Sequence, residues 1–282
     1  MEIRELNHKA VLSILPDRDP WGYKSTFGKV LMLCGSRGYT GAAYLSAMGA
    51  LRSGTGMVYL GVPESIYEIE AVKLNEAVVF PLPDDGGKLS ADAIPEIMKL
   101  LKKADAVLIG PGLGQSDGTH SVVEAVLTAA SCPVVLDADG INLMSMHKSI
   151  LRGRKAPTVL TPHDGEFMRI GGLIGKNRME SAVNLAQELG CIVLLKGHET
   201  CITDGIFAYR NRTGNPGMAV GGSGDVLAGI IVSLIGQGID PLEATACAAW
   251  LHGAAGDLCA ERLGQYGMLP TDMLDMLPRL MK

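Results

Sequence analysis

The chain has 282 residues, of which 47% are apolar and 20% charged, with a formal net charge of -5. That supplies one large core without metal or disulfide staples, and the absence of any Lys/Arg-rich block, with only 5% aromatics, argues against nucleic acid as a partner. The six cysteines (34, 132, 191, 201, 247, 259) form no CxxC pair or zinc-finger spacing. The N-terminal stretch is too charged for a signal peptide and the apolar run near 226–235 too short to span a bilayer, so a cytoplasmic protein free of the membrane is expected.

In chain order, a short helix is expected at Lys9–Leu15, then a buried strand at Val30–Cys34 and the loop GSRGYTGAA. A helix of small residues follows to Gly54, able to pack close to a sheet or to another subunit. Met57–Val62 reads as a second strand, Glu64–Lys73 as helix, Ala77–Phe80 as a short strand and PLPDDGGKLS as loop. Ala91–Lys102 and His120–Ala130 read as helices on either side of the strand Ala106–Ile109, which ends in GPGLGQSDG. Strands are expected at Val134–Leu136, Thr158–Leu160 and Ile192–Leu195, with helices near Asn142, at Gly165–Ile170 and at Arg178–Leu189. A hairpin about Asp204–Gly205 and helices at Asp225–Ile235, Pro241–Arg262 and Pro270–Met281 complete the pattern. Strands alternating with helices predict one α/β domain over 1–282 with a mainly parallel sheet. Five strands end in polar or glycine-rich loops, GSRGYTG, GPGLG, DADGIN, TPHDGE and KGHET. In a parallel sheet these ring one crevice.

The stretch TGNPGMAVGGSGDVLAGIIVSLIGQG (213–238) passes from glycine-rich turn to apolar helix. Free N–H groups and the positive dipole end at such a helix start hold an anion, and Gly221, Gly222 and Gly224 let backbone approach it. Asp225 sits in that first turn. A phosphate would repel a carboxylate, so either Asp225 takes a proton from a hydroxyl attacking phosphorus, or it merely complements the dipole. Lys196 either reaches a phosphate or snorkels at a strand end. His163 either meets a ligand or caps the following helix. His198 reads as shaping the Gly197 turn, and His252 as a satisfied core histidine. Asp137 and Asp139 either hold Mg²⁺ through water or, for Asp139, cap the next helix; Asn142 contacts ligand or caps.

Over nearly its whole length the chain resembles the ADP/ATP-dependent NAD(P)H-hydrate dehydratases of the ribokinase-like superfamily. The segments KSTFGKVLMLCGSRGYTGAA, ALRSGTGMVYLGVP, IGPGLG, VLDADGIN, LTPHDGEF, LKGHET and NPGMAVGGSGDVLAG carry the likeness in order and spacing, with the superfamily's GxGD motif at Gly222-Ser223-Gly224-Asp225. The resemblance implies a three-layer α/β/α sandwich and an enzyme that uses ADP or ATP, with Mg²⁺, to dehydrate the S epimer of hydrated NADH or NADPH. It implies Asp225 as base, and Ala42, Gly112, Gly114, Asn142, His163 and Asp225 along the hydrated dinucleotide. It further implies Lys196, Gly197, His198, Glu199, Thr200, Gly222, Ser223 and Gly224 along the nucleotide. A homotetramer and a separate epimerase in place of an N-terminal one are also implied. Ser223 replaces the Thr of many relatives and keeps the hydroxyl. The nearest rival is a ribokinase-like kinase of a vitamin precursor such as hydroxyethylthiazole; a non-catalytic dinucleotide sensor is the rival of another class.

Overall fold

The computed structural model describes residues 2–282. The first half runs β1 (Ile3–Arg4), α1 (His8–Ile14), β2 (Lys29–Leu33), α2 (Thr40–Arg52), β3 (Met57–Pro63), α3 (Tyr67–Lys73) and β4 (Val78–Leu82). After a small hairpin of β5 (Asp84–Asp85) and β6 (Lys88–Leu89) come α4 (Ile94–Leu101), β7 (Ala106–Ile109), α5 (Asp117–Ala129) and β8 (Val134–Leu136). Next are α6 (Asp139–Met144), α7 (Lys148–Gly153), β9 (Thr158–Leu160), α8 (Asp164–Arg169), α9 (Arg178–Leu189) and β10 (Ile192–Leu195). The chain closes with β11 (Thr200–Thr203), β12 (Ala208–Asn211), α10 (Ser223–Gly236), α11 (Pro241–Leu263) and α12 (Pro270–Leu280).

Ten strands form one sheet in the order β1-β12-β11-β10-β9-β8-β7-β2-β3-β4. It is parallel except where β11 pairs antiparallel with β10 and β12. The central strands are continuous apolar runs because both faces are covered. Along β2, Val30 and Met32 pack into one core while Leu31 and Leu33 pack into the other. The period of two thus divides one strand between two cores. The first is closed by α2, α10, α11 and α12, the second by α4, α5 and α9. The result is the α/β/α sandwich expected.

The small-residue helix α2 has its partner inside the chain. A Cβ on Gly49 would lie 2.6 Å from the Val226 carbonyl oxygen of α10, and one on Gly229 would overlap the Ser46 carbonyl. The two helices meet backbone to backbone, and that contact fixes the start of α10 relative to the sheet. Gly49→Val should cost about 1–3 kcal/mol, the usual penalty of overpacking, measured as a fall in the urea midpoint at unchanged slope. An unchanged midpoint would mean that the helices separate freely.

Four details depart from the sequence reading. PLPDDGGKLS is not plain loop: it holds the end of β4 and the β5–β6 hairpin. The turn after β11 spans residues 204–207, where Asp204 Oδ1 accepts the Ile206 and Phe207 N–H groups, so the second hairpin strand begins at Ala208. The two-residue β1 beside β12 and the short helix α7 carry too little periodicity to be read from sequence.

Candidate active site

Strands β10, β9, β8, β7 and β2 are adjacent and parallel. Their C-terminal ends place KGHET, TPHDGE, DADGIN, GPGLG and GSRGYTG along one edge of the sheet.

Lys196, just past β10, is the electrostatic centre. Its Nζ lies 2.8 Å from Asp137 Oδ1 and 3.9 Å from Glu166 Oε2. Asp137 is buried at the end of β8 and also accepts the Thr161 hydroxyl at 2.7 Å. Burial works against the ammonium charge, but Asp137, Glu166 and Asp225 outweigh it and raise the Lys196 pKa. A Cβ on Gly224 would come within 3.4 Å of Lys196 Nζ, so the lysine reaches the start of α10. Arg178 braces the turn: it grips Asp164 through two hydrogen bonds of 3.0 and 2.7 Å and donates to the Lys196 carbonyl at 2.8 Å. The Arg178 hydrogen bond holds the Asp164 carboxyl below its usual range.

Gly222, with φ 97°, turns the chain into α10, and Asp225 stands in the first turn. The Ser223 N–H is used by the Val220 carbonyl at 3.3 Å, whereas no internal hydrogen bond among the described residues uses the Gly224 or Asp225 N–H. Of the Gly222, Ser223 and Gly224 N–H groups expected from sequence to face an anion, only that of Ser223 is engaged by a bond among the described residues. Burial, with the Asp137 charge adding to it, pushes Asp225 up to about 6, against the opposing pull of Lys196. A carboxyl poised near neutrality beside free N–H groups and an ammonium can accept a proton from a hydroxyl that attacks an anion held there.

A cleft of about 840 Å³ opens from this point. Lys196, Gly197, His198, Glu199, Thr200, Ser223 and Gly224 all line it, with the 211–220 loop opposite. Gly222 lies just outside the lining as the N-cap of α10. Asp257 on α11 fixes the loop by accepting from the Gly214 N–H at 2.9 Å and the Asn215 amide at 3.0 Å. His163 lines the same cleft. It also caps α8: Nδ1 accepts the Gly165 N–H at 2.9 Å, and Glu166 returns to the His163 N–H at 2.9 Å.

The acceptor-side residues fall into two linked groups. Ala42 faces Gly112: a Cβ there would come within 2.7 Å of the Ala42 Cβ, and Ser36 holds the Gly112 carbonyl at 2.7 Å. In the second group the Asp139 carboxylate accepts the Gly114 N–H and the Gln115 amide, each at 2.9 Å, while Asn142 lies 3.5 Å from it and also accepts from Arg169. Asp139 is therefore no helix cap. Ala138 takes that place with φ 49° and ψ -115°, a strained backbone for an alanine, and frees Asp139 to pin the glycine loop. The Asp137/Asp139 pair divides the same way, one acid turned to Lys196 and the other to the loop.

Sequence reading missed Thr161, Glu166 and Arg178 as parts of this site. Thr161 and Glu166 left a signal, as the first and last residues of TPHDGE, whereas Arg178 left none. A second cleft, of about 770 Å³, lies at the opposite ends of β9 and β10. Its Arg154 guanidinium is already committed to Thr158 and to the Leu127 and Cys132 carbonyls.

The model of a family described as NAD(P)H-hydrate dehydratase matches residues 30–279, a span that holds all five strand-end loops and the α10 start. The chain belongs to the NAD(P)H-hydrate dehydratase family. Among relatives of this family member, the bifunctional NAD(P)H-hydrate repair enzyme Nnr of Moorella thermoacetica is 43% identical over 277 residues. The match covers 96% of this chain and 52% of the relative, so the chain spans about half the length of that protein. The ADP-dependent (S)-NAD(P)H-hydrate dehydratase of Bacillus subtilis is 37% identical, covering 96% of this chain and 95% of its own. A crystal structure of the B. subtilis ADP/ATP-dependent NAD(P)H-hydrate dehydratase, co-crystallised with ATP/Mg²⁺, superposes with a TM-score of 0.85 at 33% identity, covering 99% of this chain and 98% of that one. A hydroxyethylthiazole kinase from Pyrococcus horikoshii reaches a TM-score of 0.65 at 18% identity, which shows a shared fold alone. A ribokinase-like superfamily protein of Enterococcus faecalis superposes with a TM-score of 0.88 at 29% identity, covering 99% of this chain and 95% of that one, so the family member has the ribokinase-like fold. No helix among its described residues is long and apolar enough to cross a membrane.

Proposed function

We propose that the chain, acting as one unit over 1–282, restores hydrated NADH or NADPH by nucleotide-dependent dehydration of the S epimer. The observation that carries this reading is the place of Asp225, in the first turn of α10 beside N–H groups that no bond among the described residues uses. Asp225 takes the proton of the C6 hydroxyl as its oxygen attacks the terminal phosphorus of ADP, and the bond to AMP breaks. The Gly224 and Asp225 N–H groups meet the charge on the transferred phosphoryl, and Lys196 neutralises the donor phosphates. The ring nitrogen lone pair then expels phosphate with the C6 oxygen, and loss of the C5 proton gives the double bond. Hydrated dinucleotide and ADP become NAD(P)H, AMP and phosphate. Gly197, with φ 154°, gives the turn that presents Lys196 to the donor.

Among the described residues no cluster of three or more His, Cys, Asp or Glu is arranged as a metal cage. Both hydrogen bonds of Asp137 fall on Oδ1, leaving Oδ2 to hold water of an ion carried by phosphates. Mg²⁺ entering with the nucleotide fits that arrangement and would offset phosphate charge. Ala42 with Gly112, the Gly114–Asp139–Asn142 group and His163 are proposed to line the dinucleotide. We place the enzyme in the cytoplasm as a homotetramer, supplied with the S epimer by an epimerase.

The test is return of the reduced-nicotinamide absorbance from hydrated NADH, with ADP and ATP compared side by side. Faster return with ADP is expected. No return with either nucleotide, together with phosphorylation of a thiazole alcohol, would instead make the chain a vitamin-precursor kinase.

A further inference from the structure

His252 lies on α11, in the apolar stretch that reads from sequence as core, and it is buried. It nonetheless lines the nucleotide cleft. Its Nε2 lies 2.9 Å from the Ser223 carbonyl oxygen and 3.3 Å from the Ser223 hydroxyl. A carbonyl oxygen only accepts, so Nε2 carries the hydrogen and the ring is the Nε2–H tautomer. Burial, aided by the nearby Lys196 charge and opposed by the bond to Ser223, lowers the imidazole to about 4 and keeps it neutral.

The Ser223 carbonyl and the Gly224 N–H belong to one planar trans peptide and point in opposite directions. A donor that grips the carbonyl from the α11 side therefore aims the Gly224 N–H away from α11. No internal hydrogen bond among the described residues fixes that N–H. Ser223 is flanked by Gly222 and Gly224, whose backbone has no side chain to restrain it.

The same face of α11 holds the rest of the cleft wall. Gly253 packs against Thr213 and Gly256 against Met218, with Asp257 on the Gly214 and Asn215 donors. His252 is thus one of four neighbouring positions through which α11 shapes the nucleotide side.

We propose that His252 is a positioning residue: its neutral imidazole orients the Ser223–Gly224 peptide so that the Gly224 N–H meets the phosphoryl group in transfer. The proposal rests on the nucleotide-dependent reading above. It requires a hydrogen-bond donor at the place of Nε2, not a ring and not a charge.

His252→Leu keeps the bulk and removes the donor, whereas His252→Gln puts an amide N–H near the position of Nε2. Turnover of hydrated NADH with Mg-ADP, thermal unfolding, and the ¹⁵N-labelled Gly224 amide resonance with and without Mg-ADP are compared across wild type and both variants. For His252→Leu the expected result is a kcat at least about 30-fold lower, with the KM for ADP within about threefold, as for an interaction made in the transition state. The Gly224 amide should lose its response to Mg-ADP, and His252→Gln should recover most of both. If His252→Leu keeps kcat within threefold and the Gly224 response unchanged, His252 is core packing and the proposal is overturned. Should His252→Leu fail to fold, His252→Gln decides: it is expected to fold and turn over within about fivefold of wild type, and a loss as complete as that of an unfolded chain overturns the donor argument. If wild type turns over no hydrated NADH, the functional reading fails separately, and the Gly224 response to Mg-ADP still decides the role of His252.

Discussion

Asp225→Asn is expected to abolish most turnover while making the protein more stable at neutral pH. A positioned base contributes about 10²–10⁴-fold, so kcat should fall by about 10³-fold with the fold intact. The stability effect follows from the carboxyl being raised from 3.8 to about 6 in the folded chain. Between those values the folded state holds a proton that the unfolded state has released, so ionising Asp225 costs stability as pH rises. Below about pH 4 the cost is absent; above about pH 6 it is complete, at about 3 kcal/mol by linkage. Asparagine removes the ionisation and its cost. Thermal unfolding from pH 4 to 8 should therefore show the variant gaining on wild type as pH rises, with little difference at the acid end. A variant less stable than wild type at pH 8 would contradict the burial of this charge. In wild type the same group sets the acid limb of the kcat profile, with activity falling below about pH 6.

Lys196→Met should do the opposite to stability. Asp137 and Glu166 are buried, and the ammonium is their shared partner. Removing one side of a buried ion pair costs about 3–5 kcal/mol, because the remaining charges stay desolvated. The lysine pKa is raised in the folded chain, so its contribution is present through neutral pH and lost only as pH climbs past the folded value. The variant should melt well below wild type at pH 7. Its residual kcat should be about 10²-fold or more lower, with the acid limb moved to higher pH, since Lys196 is the charge that pulls Asp225 down. An unmoved acid limb would separate the lysine from the base.

How much of this was visible in the chain varies with the range of the signal. The buried central strands announced themselves as apolar runs, and Gly222-Ser223-Gly224-Asp225 stood out as a candidate anion site because glycines followed by an apolar helix is a local pattern. The α/β class with its mainly parallel sheet and the row of strand-end loops followed from alternation, while the three-layer sandwich came from the family resemblance. Long-range partners left no such trace. Nothing near Arg178 in sequence says that it grips Asp164 and the Lys196 carbonyl, for those contacts exist only once α9 packs beside β10. Asp139 looked like a helix cap because it precedes a helix, yet the strained Ala138 takes the cap position and turns the carboxylate to Gly114. His252 read as a satisfied core histidine, and it is buried and hydrogen-bonded as read; only its partner was invisible. Its hydrogen bond crosses 29 residues to Ser223. The positions misread are those where tertiary contact overrides the local rule.

The central claim is that the chain phosphorylates the C6 hydroxyl before the ring expels it. The most direct test uses NADH hydrated in ¹⁸O-water, so that the C6 hydroxyl carries the label, with unlabelled ADP as donor. After turnover in ordinary water, the released phosphate is analysed by mass spectrometry. One ¹⁸O is expected in each phosphate, because the C6–O bond breaks after the oxygen has joined phosphorus. Unlabelled phosphate, with the ¹⁸O recovered in water, would show that the hydroxyl leaves without being phosphorylated and would contradict the claim.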